Sequence, residues 1–335
     1  MSTRTPPDSS ARSPAFARWL WCVGWVAGAA LAALALRHFD WHRAAAVARN
    51  ASPGWLAAAA AANLSLLAFW ALQWKWLLPS GCRVAWRRLW SVVALSWCGM
   101  NTLPWMGGHA LGLGLLAGWG GVGLEVAVSV VALEQLCEAA GKAVLLILAG
   151  AVAPASPPWL HGAAWTLGAC AAAALCLLWW LARRHDPASA APAPPGLLRW
   201  ARHLEALRRP RVLGAGLSMT AAIKLAEFAA IIAVQRAAGI PLPWTAAVIV
   251  LAAVNIATVV AVSPGNLGAY EAAAFLAYRF CGLDAGQALA LALLQHLCLL
   301  LPLLAAGGAV MTWRAFGGGG PARKPEDGPP ATAPR

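Results

Sequence analysis

The sequence predicts an all-α, polytopic membrane protein with about six full spans and two re-entrant half-helix hairpins arranged as an inverted-topology repeat. Three observations predict it. Of 335 residues, 61% are hydrophobic and only 11% charged, against roughly a quarter charged in soluble domains. Several apolar runs reach the roughly 20 residues that a spanning helix needs. Two further apolar segments are broken by helix-terminating motifs, Asn101-Thr102-Leu103-Pro104-Trp105-Met106-Gly107-Gly108 and Ser263-Pro264-Gly265-Asn266-Leu267-Gly268-Ala269-Tyr270-Glu271.

The full spans are expected near Trp19 to Leu36, Trp55 to Trp76, Leu124 to Val152, Ala163 to Ala182, Leu213 to Val234 and Ala285 to Met311. Most of the 25 basic residues fall in four places: the N-terminal tail, Lys75 to Arg88, Arg183 to Arg211, and the tail from Arg314. Because Lys and Arg accumulate on cytoplasmic flanks, all four are expected inside the cell, with both termini cytoplasmic in a bacterial inner membrane. The basic residues form no nucleic-acid-binding module, so the +13 net charge reads as an orientation signal. Residues 1–18 and 314–335, rich in Pro, Gly, Ser and Arg, are expected to be disordered tails. Residues 19–313 form the membrane domain, with repeat halves at about 55–153 and 213–312 and a linker at 183–211. The amphipathic stretch Leu197 to Arg209 is expected on the anionic leaflet. The triplet Ala33-Leu34-Ala35 only weakly resembles a leader-cleavage site. The eight cysteines contain no C-x-x-C pair and read as small core residues.

Parity places the breaks. Each basic cluster must stay inside and each span must change sides, so the uncharged segment from Arg88 to Glu125 has to enter and leave from the cytoplasm. The segment Trp244 to Asp284 must then enter and leave from outside. Opposite entry implies an inverted repeat, and one offset supports it: Leu133-Glu134-Gln135-Leu136-Cys137 resembles Leu294-Gln295-His296-Leu297-Cys298. Transporters built this way bind substrate near the midplane between broken helices.

Irregular backbone inside a membrane is tolerated only against protein or a water-filled cavity. The breaks therefore nominate Asn101, Pro104, Gly107, Gly108, Pro264, Gly265, Asn266, Gly268 and Tyr270 as lining a substrate site. Half-helix N-termini there would favour anions, although glycines and prolines also serve simple packing. Intramembrane charges are costly and so are functional candidates. Glu134, Glu138 and Lys142 recur on one helix face, and Lys224 and Glu227 on another. Glu138 with Lys142, and Lys224 with Glu227, have the spacing to neutralise each other within a helix, which leaves Glu134 and Glu271 as the sharper candidates. His109 lies near the first break and His296 at the repeat-equivalent position of the last span. A lone His among apolar residues is more often a hydrogen-bonded core residue than a ligand or base, and these two are pH sensors only if they line water. Gly118-Trp119-Gly120-Gly121-Val122-Gly123 spells a dinucleotide fingerprint with no preceding strand. No metal, cofactor or nucleotide site is expected.

At these motifs the chain resembles the flippase-like family typified by the transmembrane region of lysylphosphatidylglycerol synthase. The resemblance runs from about Leu20 to Trp313. It rests on Asn101, Pro104 and Gly108, on Glu134, Gln135 and Glu138, and most specifically on Ser263-Pro264-Gly265-Asn266-Leu267-Gly268 with Tyr270 and Glu271. It implies movement of a membrane lipid, often anionic or isoprenoid-linked, between leaflets. The soluble aminoacyl-transferase domain of the full-length synthases has no counterpart here, so no enzyme activity is expected. The chain departs from the family pattern at Met106, His109 and Gly112, at Gln135 where an Arg is usual, and at Gln295-His296. Losing those cations favours a less charged polyisoprenoid, hopanoid-like or glycolipid cargo, or a degenerate site. The alternatives are a membrane-embedded lipid-modifying transferase or a non-catalytic partner of a glycosyltransferase or other lipid-pathway enzyme; a homo-oligomer is compatible with any of these.

Overall fold

The computed structural model describes residues 41–103, 107–153, 158–184, 196–240, 242–259 and 263–316. The first expected span, the Ala33-Leu34-Ala35 triplet, the N-terminal tail, the C-terminal tail beyond Phe316 and Pro104 lie outside them; Arg314 and Ala315, expected in the disordered tail, instead close the last helix. Among the described residues the chain is helical, without strands. A short helix α1 (Trp41–Arg49), which the sequence reading did not anticipate, is followed by α2 (Pro53–Leu77), α3 (Trp86–Thr102), α4 (Gly107–Gly118), α5 (Leu124–Val152) and α6 (Pro158–Arg184). After a 3-10 segment (Gly196–His203) and a single turn α7 (Glu205–Arg208) come α8 (Pro210–Ala237) and α9 (Trp244–Ala257). A 3-10 turn (Pro264–Asn266), α10 (Ala269–Phe280) and α11 (Ala285–Ala315) complete the chain.

Five helices are long and apolar enough to cross a membrane: α2, α5, α6 from Trp165, α8 and α11. At 1.5 Å per residue, α4 and α10, of 12 residues each, extend only about 18 Å against a hydrocarbon core of roughly 30 Å. Leu103 at the end of α3 is extended (φ −99°, ψ 138°), and Gly265 adopts left-handed backbone (φ 63°). These are conformations a continuing helix cannot hold.

Contacts collect the basic clusters at one end of the bundle. The Glu205 carboxylate accepts from the Ser80 amide at 2.9 Å and its hydroxyl at 3.0 Å. His203 lies 3.7 Å from Glu125, Arg208 donates to the Ala182 carbonyl at 2.9 Å, and the Arg314 guanidinium covers the Trp119 ring. The start of α3 and the end of α4 therefore lie at the same end, as the two ends of a hairpin. At the opposite end the Ser52 amide donates to Ala237 at 2.8 Å and Arg236 lies over Trp55. That end holds the start of α9 and, because α11 finishes at Arg314, the turn between α10 and α11.

The two halves pack in corresponding ways. The α3–α4 hairpin packs on α11, and the α9–α10 hairpin on α5, while α2 and α8 pack against each other between them. One apolar core, with Leu66, Leu89, Leu133 and Leu303, occupies the basic end. A second, with Leu146, Val250, Tyr278 and Leu291, occupies the other. The α6 helix sits at the periphery against α5, with Trp165 80% exposed. Its last turn stacks Arg183 and Arg184 over Trp179 and Trp180, an arrangement suited to a membrane interface.

The segment expected to lie on the leaflet instead forms the 3-10 segment and α7. It buries Ala201, Leu204, Ala206 and Leu207 in the core at the basic end. The same amphipathicity that would hold lipid holds the bundle.

Candidate functional site

Between the two cores lies a chamber of about 380 Å³ to which every helix of both halves contributes side chains. Of the expected site residues, Asn101, Gly108, His109, Glu134, Glu138, Gly265, Asn266, Tyr270 and His296 line it. Gly107, Pro264, Gly268 and Glu271 stand behind this lining, and Pro104 is outside the described residues.

Close backbone approach explains the glycines. A Cβ on Gly108 would collide with the Met100 backbone, and one on Gly265 would come within 3.3 Å of the Asn101 carbonyl oxygen. The second contact is a meeting of the two breaks, since Asn101 belongs to one and Gly265 to the other. The repeat offset also becomes spatial: Glu134 and Gln135 on α5, and Gln295 and His296 on α11, all line the one chamber.

Lys224 is the hub of the charged network. Its ammonium donates to Glu138 at 2.9 Å, to Glu227 at 3.1 Å and to Asn255 at 2.8 Å, joining α8 to α5 and α9. The expected i,i+3 pair of Lys224 with Glu227 is present. The expected partnership of Glu138 with Lys142 is replaced by the one with Lys224, because α8 packs close enough to supply a competing cation. Lys142 lines the chamber and makes no ion pair among the described residues, while its charge acts through space on Glu134 and Glu138.

Glu134, buried at 7% exposure, has a hydrogen bond only with the Gln135 amide (2.9 Å) among the described residues. Glu271, also expected to lack a local partner, is fully engaged. One oxygen accepts from the Gly268 amide at 2.7 Å and the other lies 2.7 Å from His296 Nδ1. The carboxylate thus satisfies the positive end of α10, so the anion-attracting terminus expected there already holds its own anion. By contrast, the first turn of α4 carries no acid. Tyr270 stacks on His296 (centroids 4.2 Å, 17°) and accepts from Gln295 at 2.6 Å, and Gln295 in turn accepts from Tyr278 at 2.9 Å.

Sequence reasoning missed Asn63, Trp70, Trp74 and Trp97, which also line the chamber. Asn63 and Asn255 were findable as polar residues within apolar runs. The tryptophans were not, because the sequence holds 20 of them. No group of His, Cys, Asp and Glu among the described residues is arranged to hold a metal ion.

Apolar helices of spanning length around a central chamber lined by both polar and apolar side chains define a multi-pass α-helical membrane protein. The model of the lysylphosphatidylglycerol synthase transmembrane region matches residues 21–307, and the chain belongs to that family. Comparison with curated proteins finds no match.

Proposed function

We propose that this protein moves a lipid between the leaflets of the bacterial inner membrane. The observation that carries this reading is the meeting of the two breaks, Asn101 against Gly265, at one chamber lined by polar groups from both halves. In this reading the basic end faces the cytoplasm. The α3–α4 hairpin re-enters from there and α9–α10 from the other face, an inverted repeat with the site near the midplane. The chamber shelters a headgroup while the acyl chains stay in lipid, which avoids a penalty of several kcal/mol for unpaired polar groups in hydrocarbon. Movement is passive or ion-coupled, and the chain catalyses no reaction.

The test is leaflet exchange of an acyl-labelled lipid in vesicles reconstituted with the purified protein. Exchange at least tenfold faster than in protein-free vesicles is expected. A rate equal to that of empty vesicles contradicts the proposal.

The pairing of Glu271 with His296 favours a second reading, a membrane-embedded transferase. A carboxylate on Nδ1 fixes the ring and leaves Nε2 as a base. Among the described residues no Ser, Thr or Cys side chain is hydrogen-bonded to His296, which weighs against covalent catalysis. Turnover of a lipid by purified protein, lost in His296→Ala, would decide for it.

A further inference from the structure

The hydrogen-bonding inventory of the chamber is lopsided. Asn63 donates its amide to the Cys298 carbonyl at 2.9 Å and Asn101 donates its own to the Trp97 carbonyl at 2.8 Å. Gln135 spends its amide on Glu134. Each is left with a carbonyl oxygen that has no partner among the described residues. Glu138 Oε2 and Asn266 Oδ1 are buried without a partner, and on the donor side so is the Trp74 indole N–H. A buried polar atom without a partner costs about 1–3 kcal/mol. These three atoms are closed off from solvent and so from a ligand; the free carbonyl oxygens of Asn63, Asn101 and Gln135, on the chamber lining, are the acceptors a ligand can reach.

The chemistry of that ligand follows from what these atoms lack. Phosphate brings acceptors to a chamber already rich in them. It also needs surplus positive charge, whereas the lining carries three carboxylates (Glu134, Glu138, Glu227) against two ammonium groups (Lys142, Lys224). An ammonium group satisfies the acceptors but meets the Lys142 ammonium on the same lining. A hydroxyl donates to such carbonyl oxygens and also accepts from an ammonium such as that of Lys142. Trp70 and Trp97, with ring centroids 4.5 Å apart, line the same chamber. Trp70 is buried against Trp97, which leaves the half-buried Trp97 ring to meet the apolar CH face of a pyranose, whose rim supplies the hydroxyls.

We infer that the chamber receives an uncharged, polyhydroxylated headgroup, a glycosyl group carried on a lipid. The inference rests on the lipid-handling reading above and specifies its cargo class.

Binding and transport test it separately. In native mass spectrometry of the full chain with equal amounts of monoglucosyl-diacylglycerol, phosphatidic acid and lysyl-phosphatidylglycerol, the glucosyl lipid should be retained at least tenfold better than either other lipid. Asn101→Ala and Gln135→Ala, which each remove one of the free carbonyl oxygens, should each lower that retention at least threefold. Their retention of phosphatidic acid should not change. Equal or better retention of phosphatidic acid or the lysyl lipid, or a glucosyl preference untouched in both variants, overturns the inference. Glucosyl-selective binding without accelerated leaflet exchange supports this headgroup assignment and overturns the transport reading. Faster exchange of phosphatidic acid than of the glucosyl lipid does the reverse.

Discussion

Glu271 on α10 and His296 on α11 are joined by a 2.7 Å contact between Oε1 and Nδ1, while the other Glu271 oxygen caps α10 through the Gly268 amide at 2.7 Å. One side chain therefore fixes both the entry of the second half-helix and a ring that lines the chamber. Glu271→Gln retains an acceptor for only one of these bonds. It should destabilise the fold by about 1–3 kcal/mol and slow lipid exchange severalfold, checked by thermal unfolding in detergent and by vesicle assay. Wild-type values in both would mean that the pairing is incidental.

Lys224 holds two carboxylates and Asn255 from three helices. Removing one member of a buried charge network strands the others, at about 3–5 kcal/mol. Lys224→Met should lower the melting temperature accordingly, and adding Glu138→Gln should recover part of the loss. A double variant less stable than the single one would contradict this account of the network.

Gly265 and Gly239 separate backbone strain from crowding at the break. Both have positive φ, 63° and 66°, where an L side chain costs roughly 1–2 kcal/mol. Around Gly239 an added Cβ meets open space, whereas at Gly265 it meets the Asn101 carbonyl at 3.3 Å. Alanine at either position should cost the shared strain, and at Gly265 the crowding should add to it. Only Gly265→Ala should slow exchange, measured as the ratio of initial rates.

Much of the helical layout was legible before the structure because hydropathy and helix breaks are local signals. The spans from Pro53, Leu124, Pro210 and Ala285 start within three residues of where hydropathy put them. The offset relating Glu134-Gln135 to Gln295-His296 became a shared wall. Side-chain partnerships were less legible. Helical spacing offered Lys142 to Glu138, but only tertiary packing determines that α8 delivers Lys224 first. For the same reason Glu271 seemed alone until α11 brought His296 beside it. The stretch Leu197 to Arg209 misled because an amphipathic pattern specifies an apolar neighbour without saying whether it is lipid or protein.

The linker clasp responds to pH. Partial burial raises the Glu205 carboxyl, but bonds from Ser80 and the charges of Arg209 and Arg208 outweigh it and hold the group below the ordinary carboxylate range. A lowered folded value contributes stability above the unfolded carboxylate range, and this is lost as pH falls through the folded value. Hydrogen exchange of residues 196–209, corrected for intrinsic rates, should stay slow from neutral pH through mild acid and rise only as pH falls below the ordinary carboxylate range. Ser80→Ala should raise it already at neutral pH.

The central claim is that the two hairpins re-enter from opposite faces, and side-specific cysteine labelling in a background freed of native cysteines tests it most directly. Probes at Ser80 and Gly121 should both react from the cytoplasmic face, and probes at Pro243 and Gly282 both from the opposite face. Labelling of Ser80 and Gly121 from different faces would show that α3 and α4 together cross the membrane, and would contradict the account.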